Sequence, residues 1–341
     1  MPFDHPQRIR LARPGGLEVT FMDWGATWLS CRVPVPGEAP REVLLAHPTP
    51  ADHATRGGYL GATVGRYANR IANAQLQRDG HTHALQPHPA GSRHQLHGGP
   101  DGFSHRRWQV TQHSDTAVTF SLDSPAGDQG FPGALHLDVT YTLIDAMAMS
   151  MELRATVDAP CPVAPTQHAY FNLDAQPGSV LGHTLQIAAA QYLPVDAELL
   201  PVDGPQPVAG TAFDFRAPRP IGSDCDHGWL LNAGDGRSDA PAAVLTSSDG
   251  RLAMALSTTM PALQIYAGGH LGGEPGRDGA PMVRNAGVAM ESGWLADSPN
   301  RMAWQQRTCW AGPDRPLTET VVWRWTTVSR HPPIAPAGPL I

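Results

Sequence analysis

A chain of 341 residues, 41% of them hydrophobic, can bury a sizeable core, which excludes a disordered or fibrous protein. A formal charge of −7 without any block of like charge excludes the basic footprint of a nucleic-acid binder and favours small or neutral partners. No apolar run approaches the roughly 18 residues of a membrane span, and the opening stretch MPFDHPQRIRLARPGG lacks the apolar core of a signal peptide, so the chain reads as cytoplasmic with no membrane partner.

In chain order, period-two alternation predicts strands in AVTFSL (117–122), HLDVTYTL (136–143), MAMSMELRATV (147–157), RLAMALS (251–257) and ETVVWRWTTV (319–328). Leu137, Val139, Tyr141 and Leu143 share one face, as do Met147, Met149, Met151, Leu153, Ala155 and Val157, and the joint Ile144-Asp145-Ala146 predicts a hairpin. The 35 Gly and 34 Pro punctuate the chain too often for long helices. With no fixed-period repeat and no linker, the expectation is one all-β domain over residues 1–341, a large antiparallel β-sandwich, with the Pro-rich 330–341 as a strap or tail. Cys31, Cys161, Cys225 and Cys309 form no C-x-x-C pair, so buried free thiols are expected rather than a zinc site or disulfides.

Five polar islands interrupt the strands. GATVGRYANRIANA carries Arg66 and Arg70, whose even spacing on a strand would point both guanidiniums to one face. In QLHGGPDGFSHRRW, His97 precedes two glycines that would let the backbone approach a ligand closely. PTQHAYFNL places His168 in a strand-like run; DCDHGWLL carries Asp224, Asp226 and His227; and VAMESGWLADSPN carries Glu291, Asp297 and Asn300. With 16 histidines in the chain, a single one is ordinarily a surface or structural residue, and His81, His83, His88 and His94 are read so. Glu291 follows Val288-Ala289-Met290 and precedes Gly293 and Trp294; a carboxylate there is either paired or functional. The His, Glu and Asp set lacks the H-x-H or H-E-x-x-H spacing of a metal site.

The order and wording of GRYANRI, LHGG with its following GF and W, HAYFNL, FDFR (213–216), DHGWLL, LQIYAG and the Glu291 segment resemble the aldose 1-epimerase (mutarotase) family. DWGATWLSCRVP and YLPVDAELLPVDG extend the resemblance over nearly the whole chain. It implies a β-sandwich of galactose-mutarotase type, a sugar cleft on a concave sheet face, a monosaccharide as ligand, and no cofactor or metal. By position in the motifs, Glu291 matches the family's base and His168 its acid; Arg70 and His97 match sugar-binding positions near the ring oxygen, and Asp226 a carboxylate that accepts from sugar hydroxyls. Arg66 falls either on the sugar side or under the sheet, paired with a buried carboxylate.

The chain departs from the family pattern at Gly293, where Gln is common, at Ala296, where Pro is common, at Gln167, where Asn often stands, and in the loop QPHPAGSRHQ. Gly293 leaves a space that Trp294, if turned inward, would border with an apolar face. These changes bear on which sugar is preferred. Three rival functions have features of their own. A hexose-6-phosphate epimerase of the same fold would need cations such as Arg93, Arg106 and Arg107; a non-catalytic carbohydrate-binding protein would not need the His168 and Glu291 pair; a glycoside hydrolase would use two carboxylates, Glu291 and Asp226.

Overall fold

The computed structural model describes residues 6–232, 240–304 and 307–328; the Pro-rich 330–341 lies outside them. The alternating segments form the strands expected of them. Leu135–Asp145 pairs antiparallel with Ala148–Val157, Leu135 opposite Val157 and Tyr141 opposite Met151. The turn falls at 146–147, one residue later than the sequence suggests, because the Asp145 carboxylate accepts from the Met147 N–H (2.8 Å) and caps it. Leu135, Leu137, Val139, Tyr141 and Leu143 are buried while His136 is exposed, so alternation marks a face and not merely a strand.

This hairpin supplies the third and fourth strands of a nine-stranded antiparallel sheet whose order runs from Gln109–His113 through Ala117–Ser124, the hairpin, Leu317–Thr327, Leu252–Thr258, Ala243–Thr246 and Thr184–Ile187 to Arg219–Pro220. A four-stranded sheet (Arg8–Ala12, Glu18–Met22, Thr27–Val33, Arg41–Glu42) and a six-stranded sheet complete the sandwich; the latter runs Tyr170–Phe171, Val288–Gly293, Ala262–Tyr266, Asp226–Leu230, Gln191–Leu193, Gln206–Pro207. One apolar cluster joins all three sheets. Trp28 of the four-stranded sheet sits 5.1 Å from Trp323 of the nine-stranded sheet and 5.9 Å from Phe171 of the six-stranded sheet, centroid to centroid. Aromatic pairs at this spacing add to the area they bury.

All four cysteines are buried and free. No helix among the described residues is long and apolar enough to cross a membrane.

Candidate active site

The six-stranded sheet turns one face into the core and leaves the other to a cleft. On Val288–Gly293, Val288 and Met290 enter the core, so Ala289, Glu291 and Gly293 face outward. Glu291 stands opposite Gln264 of the next strand, and Asp226 opposite Tyr266. Gln264 Nε2 donates to Asp226 Oδ1 (2.6 Å), fixing the carboxylate's orientation. Over this face lies a cleft of about 340 Å³ lined by, among others, Tyr59, Arg70, His97, His168, Asp226 and Glu291, a size suited to a small ligand.

His168 arrives from the other side. Its backbone N–H donates to Ala62 O (2.9 Å) and its carbonyl accepts from the Gly61 N–H (3.0 Å), pinning it beside the strand edge. The imidazole Nε2 lies 3.4 Å from Glu291 Oε1, both side chains being buried. Burial pushes the Glu291 carboxyl up to about 8, the negative charge of Asp226 adding to the rise and the Arg70 guanidinium opposing it. Burial pushes the His168 imidazole down to about 4. Both groups are driven toward their neutral forms by loss of hydration, so between about 4 and about 8 the pair holds one proton that the short separation allows either partner to carry.

Arg70 and His97 are delivered by two short strands paired with each other, Arg70–Ile71 and Gln95–Leu96. Bridging them, the left-handed Asn69 (φ 63°) donates its backbone N–H to His97 Nδ1 (3.2 Å), and its side-chain oxygen accepts from the Arg70 N–H (2.7 Å). Because Nδ1 accepts, the neutral His97 ring carries its proton on Nε2 and is a donor. Burial, with the nearby His168 and Arg70, holds His97 well below the usual imidazole range, keeping that tautomer neutral. Arg70 Nη1 lies 3.9 Å from Asp226 Oδ2. Asp297 supports the ledge: its backbone N–H donates to Arg70 O (2.8 Å) and its carboxylate accepts from the Ala72 N–H (3.1 Å). Asn300 Nδ2 bonds the same carboxylate (2.7 Å).

Several sequence expectations are revised by these positions. Arg66 and Arg70 do not share a strand face. Arg66 is buried beneath the sheet, where its guanidinium donates to Gly133 O (2.8 Å), Ser124 Oγ (2.6 Å) and Cys161 Sγ (3.4 Å); its partners are carbonyls, a hydroxyl and a thiol, not a carboxylate. The glycines after His97 do not serve a ligand. A Cβ on Gly98 would come within 1.9 Å of Gly65 O, so the close approach is backbone to backbone. Trp294 is buried in the core cluster, pointing away from the cleft. Gly293 does face the same side as Glu291, and a Cβ there would meet nothing within 4 Å. Gln167 also turns from the cleft, its Nε2 donating to the buried Tyr141 hydroxyl (2.7 Å). Of the arginines considered for a phosphate, Arg93 pairs with Glu198, Arg106 with Asp128 and Arg107 with Asp23. Among the described residues Arg70 is the one Lys or Arg lining the cleft.

Sequence reading missed the aromatic walls. Tyr170 lies 5.0 Å from the His168 ring and 6.0 Å from Tyr266, whose hydroxyl meets His270 Nδ1 at 2.9 Å. Tyr170 follows His168 by two, so alternation from His168 was the available signal for it; Tyr266 had no such anchor, since it reaches the cleft through cross-strand register with Asp226. His97, His168 and Glu291 place one candidate metal-ligating atom each within 4.8 Å of one another. The His97 tautomer argues against their use as a metal triad: with Nδ1 accepting from the Asn69 N–H, Nε2 is protonated and has no lone pair to offer.

The cleft thus gathers a buried carboxyl–imidazole pair, fixed hydrogen-bond donors, one held carboxylate and aromatic walls around a space of small-ligand size. The model of the family described as "Aldose 1-epimerase" matches residues 7–314. The chain is 46% identical over 326 residues to an aldose 1-epimerase of Escherichia coli, covering 92% of this chain and 93% of that one. It is 34% identical to the galactose mutarotase of Homo sapiens over 84% of each. Among solved structures, the GalM/aldose epimerase homologue from C. elegans superimposes with a TM-score of 0.88 at 28% identity, covering 95% of this chain and all (100%) of that one. Galactose 1-epimerase from Lactobacillus acidophilus gives 0.79 at 26% identity, covering 95% of this chain and 99% of that one. The chain belongs to the aldose 1-epimerase family, and its fold is the galactose-mutarotase sandwich.

Proposed function

We propose that the protein is an aldose 1-epimerase that interconverts the α- and β-anomers of a free aldose, with Glu291 and His168 as its proton-transfer pair. The observation that carries this reading is the 3.4 Å contact between two buried groups whose surroundings favour one shared proton. In the productive state Glu291 is the carboxylate and His168 the imidazolium. Glu291 takes the proton of the C1 hydroxyl while His168 gives its Nε2 proton to the ring oxygen; the C1–ring-oxygen bond breaks and C1=O forms, giving the open aldehyde. Rotation about C1–C2 presents the other carbonyl face. On closure the ring oxygen attacks C1, His168 recovers its proton and Glu291 returns the other, so both groups end as they began. Positioned proton transfer of this kind contributes about 10²–10⁴ in rate per group.

Arg70 and the Nε2–H of His97 supply donors, and Asp226 an acceptor, to the remaining sugar oxygens. The neighbourhood of Arg70 contains Asp226, Glu274 and Glu291, which favours a neutral sugar over a phosphorylated one. Four free thiols fit a reducing, cytoplasmic setting. Polarimetry of freshly dissolved α-anomers of glucose, galactose, xylose and arabinose tests the reading. Catalytic amounts of protein are expected to speed the approach to an unchanged final rotation for at least one sugar; acceleration only with the 6-phosphates would transfer the assignment to the phosphosugar reaction.

A further inference from the structure

Tyr59 occupies a position that the cleft's chemistry explains and its local sequence does not. Its φ of 56° is in the left-handed region, which a bulky aromatic residue avoids and which recurs where surrounding structure holds a functional group in place. The turn is tied directly to the proton-transfer pair: Ala62 N–H donates to Tyr59 O (2.9 Å), and the adjoining Gly61 and Ala62 hold the His168 backbone. The half-buried Tyr59 ring lines the cleft. It meets the His97 ring at 4.7 Å, edge to face, and the His168 ring at 5.7 Å. Its hydroxyl bonds His88 Nε2 (2.9 Å), a histidine the sequence marked as structural.

We propose that Tyr59 is a positioning residue for the reaction: anchored by His88, its ring holds the planes of the His97 and His168 imidazoles and keeps water off the face of His168. The assignment rests on His168 acting as the acid, and deepens that reading. His168 has Tyr170 on a second side, 5.0 Å away, so its imidazole is walled by two phenol rings. The titratable groups facing it are Glu291, His97, Tyr59 and Tyr170; Arg70 and Asp226 lie beyond Glu291 and His88 and His105 beyond Tyr59. Removing the Tyr59 ring leaves the other groups in place and admits water to one face of His168, which raises its proton affinity because dehydration is what lowers it.

Tyr59→Asn is the informative variant, because Asn accepts the left-handed backbone and removes the ring without new strain. The expected result is a kcat about tenfold to a hundredfold lower with a smaller change in KM, and an acidic limb of the kcat/KM profile moved up from about 4 toward 6.5. Tyr59→Phe, which keeps the ring and loses the anchor, moves both in the same direction by less. His168→Asn is measured alongside. If it loses activity while Tyr59→Asn leaves the acidic limb and the kcat-to-KM balance at wild-type values, the positioning role is overturned and the proton-transfer pair stands. If His168→Asn itself keeps wild-type turnover, the pair reading fails and the role of Tyr59 falls with it.

Discussion

Along the hairpin of Leu135–Asp145 and Ala148–Val157, buried and solvent-facing side chains alternate, and the core positions are almost wholly apolar. Along Val288–Gly293 all six residues are buried, and one of them is a carboxylic acid. The two regions have the same backbone geometry and pairing. They differ in what lies on the second face: bulk water over the hairpin, and over Val288–Gly293 a cleft in which Glu291 and His168 are buried and His168 Nδ1 has no hydrogen-bond partner. Unsatisfied and desolvated polar groups cost stability; the nine-stranded sheet is the scaffold that tolerates them. Fold and cleft chemistry therefore rest on separable sets of residues, and substitutions can test that separation.

The largest effect should come from the cleft. Glu291→Gln and His168→Asn are each expected to lower kcat by about 10²–10⁴, measured by polarimetry, with no loss of thermal stability. The Glu291 carboxyl ionises near 4.5 when unfolded and at about 8 when folded, so the wild type loses stability relative to Glu291→Gln as pH rises through that window. The variant's advantage in Tm should therefore widen from pH 4.5 to pH 8, as read by thermal melts; a variant that melts earlier than wild type throughout would make Glu291 a structural residue.

The converse substitution is Trp323→Ala in the nine-stranded sheet, where the ring is 2% exposed and packs on Trp28. It is expected to cost about 3–5 kcal/mol of stability in denaturant melts while the folded fraction keeps its kcat/KM. A large fall in kcat at full folding would show that scaffold and cleft are not separable.

Smaller effects sharpen the account of the cleft itself. Gly293→Gln fills the empty space beside Glu291 with a polar group that can reward one hydroxyl pattern over another. The kcat/KM ratio of galactose to glucose and to the pentoses is expected to rise several-fold, on the order of the tenfold a single pocket contact confers; an unchanged ranking would mean that residue 293 does not reach the sugar. Smallest of all, dialysis against EDTA should leave turnover unchanged, since His97 Nδ1 is already engaged by the Asn69 N–H. Loss of activity restored by a divalent ion would assign His97, His168 and Glu291 to a metal instead.

The hairpin and the strands at 251–257 and 317–327 were legible in the sequence because one face is core and the other is wet, which writes period two into the residues. The six-stranded sheet was less legible. Its strands are short, and Val288–Gly293 is buried on both faces, so alternation vanishes just where Glu291 sits. Glu291, His168, Arg70, His97 and Asp226 were found through their motif wording, and the cleft gathers all five. Gln264 was missed because its role depends on cross-strand register with Glu291 and a bond to Asp226, which no local pattern encodes. The expected common face of Arg66 and Arg70 failed for a related reason: even spacing implies a common face only along a continuous strand, and here the strands Thr63–Val64 and Arg70–Ile71 are separated by an irregular segment. Tyr59 and His88 meet across 29 residues, a contact only the folded chain reveals.

If one proton shared by Glu291 and His168 drives the anomeric exchange, the pH profile of wild-type kcat/KM carries its signature. With the uncatalysed rate subtracted, the account predicts a plateau bounded by limbs near pH 4, where a second proton blocks the base, and near pH 8, where loss of the shared proton removes the acid. These apparent values belong to the pair. A profile that stays flat well beyond pH 8, or an acidic limb at the ordinary imidazole value near 6.5, would contradict it.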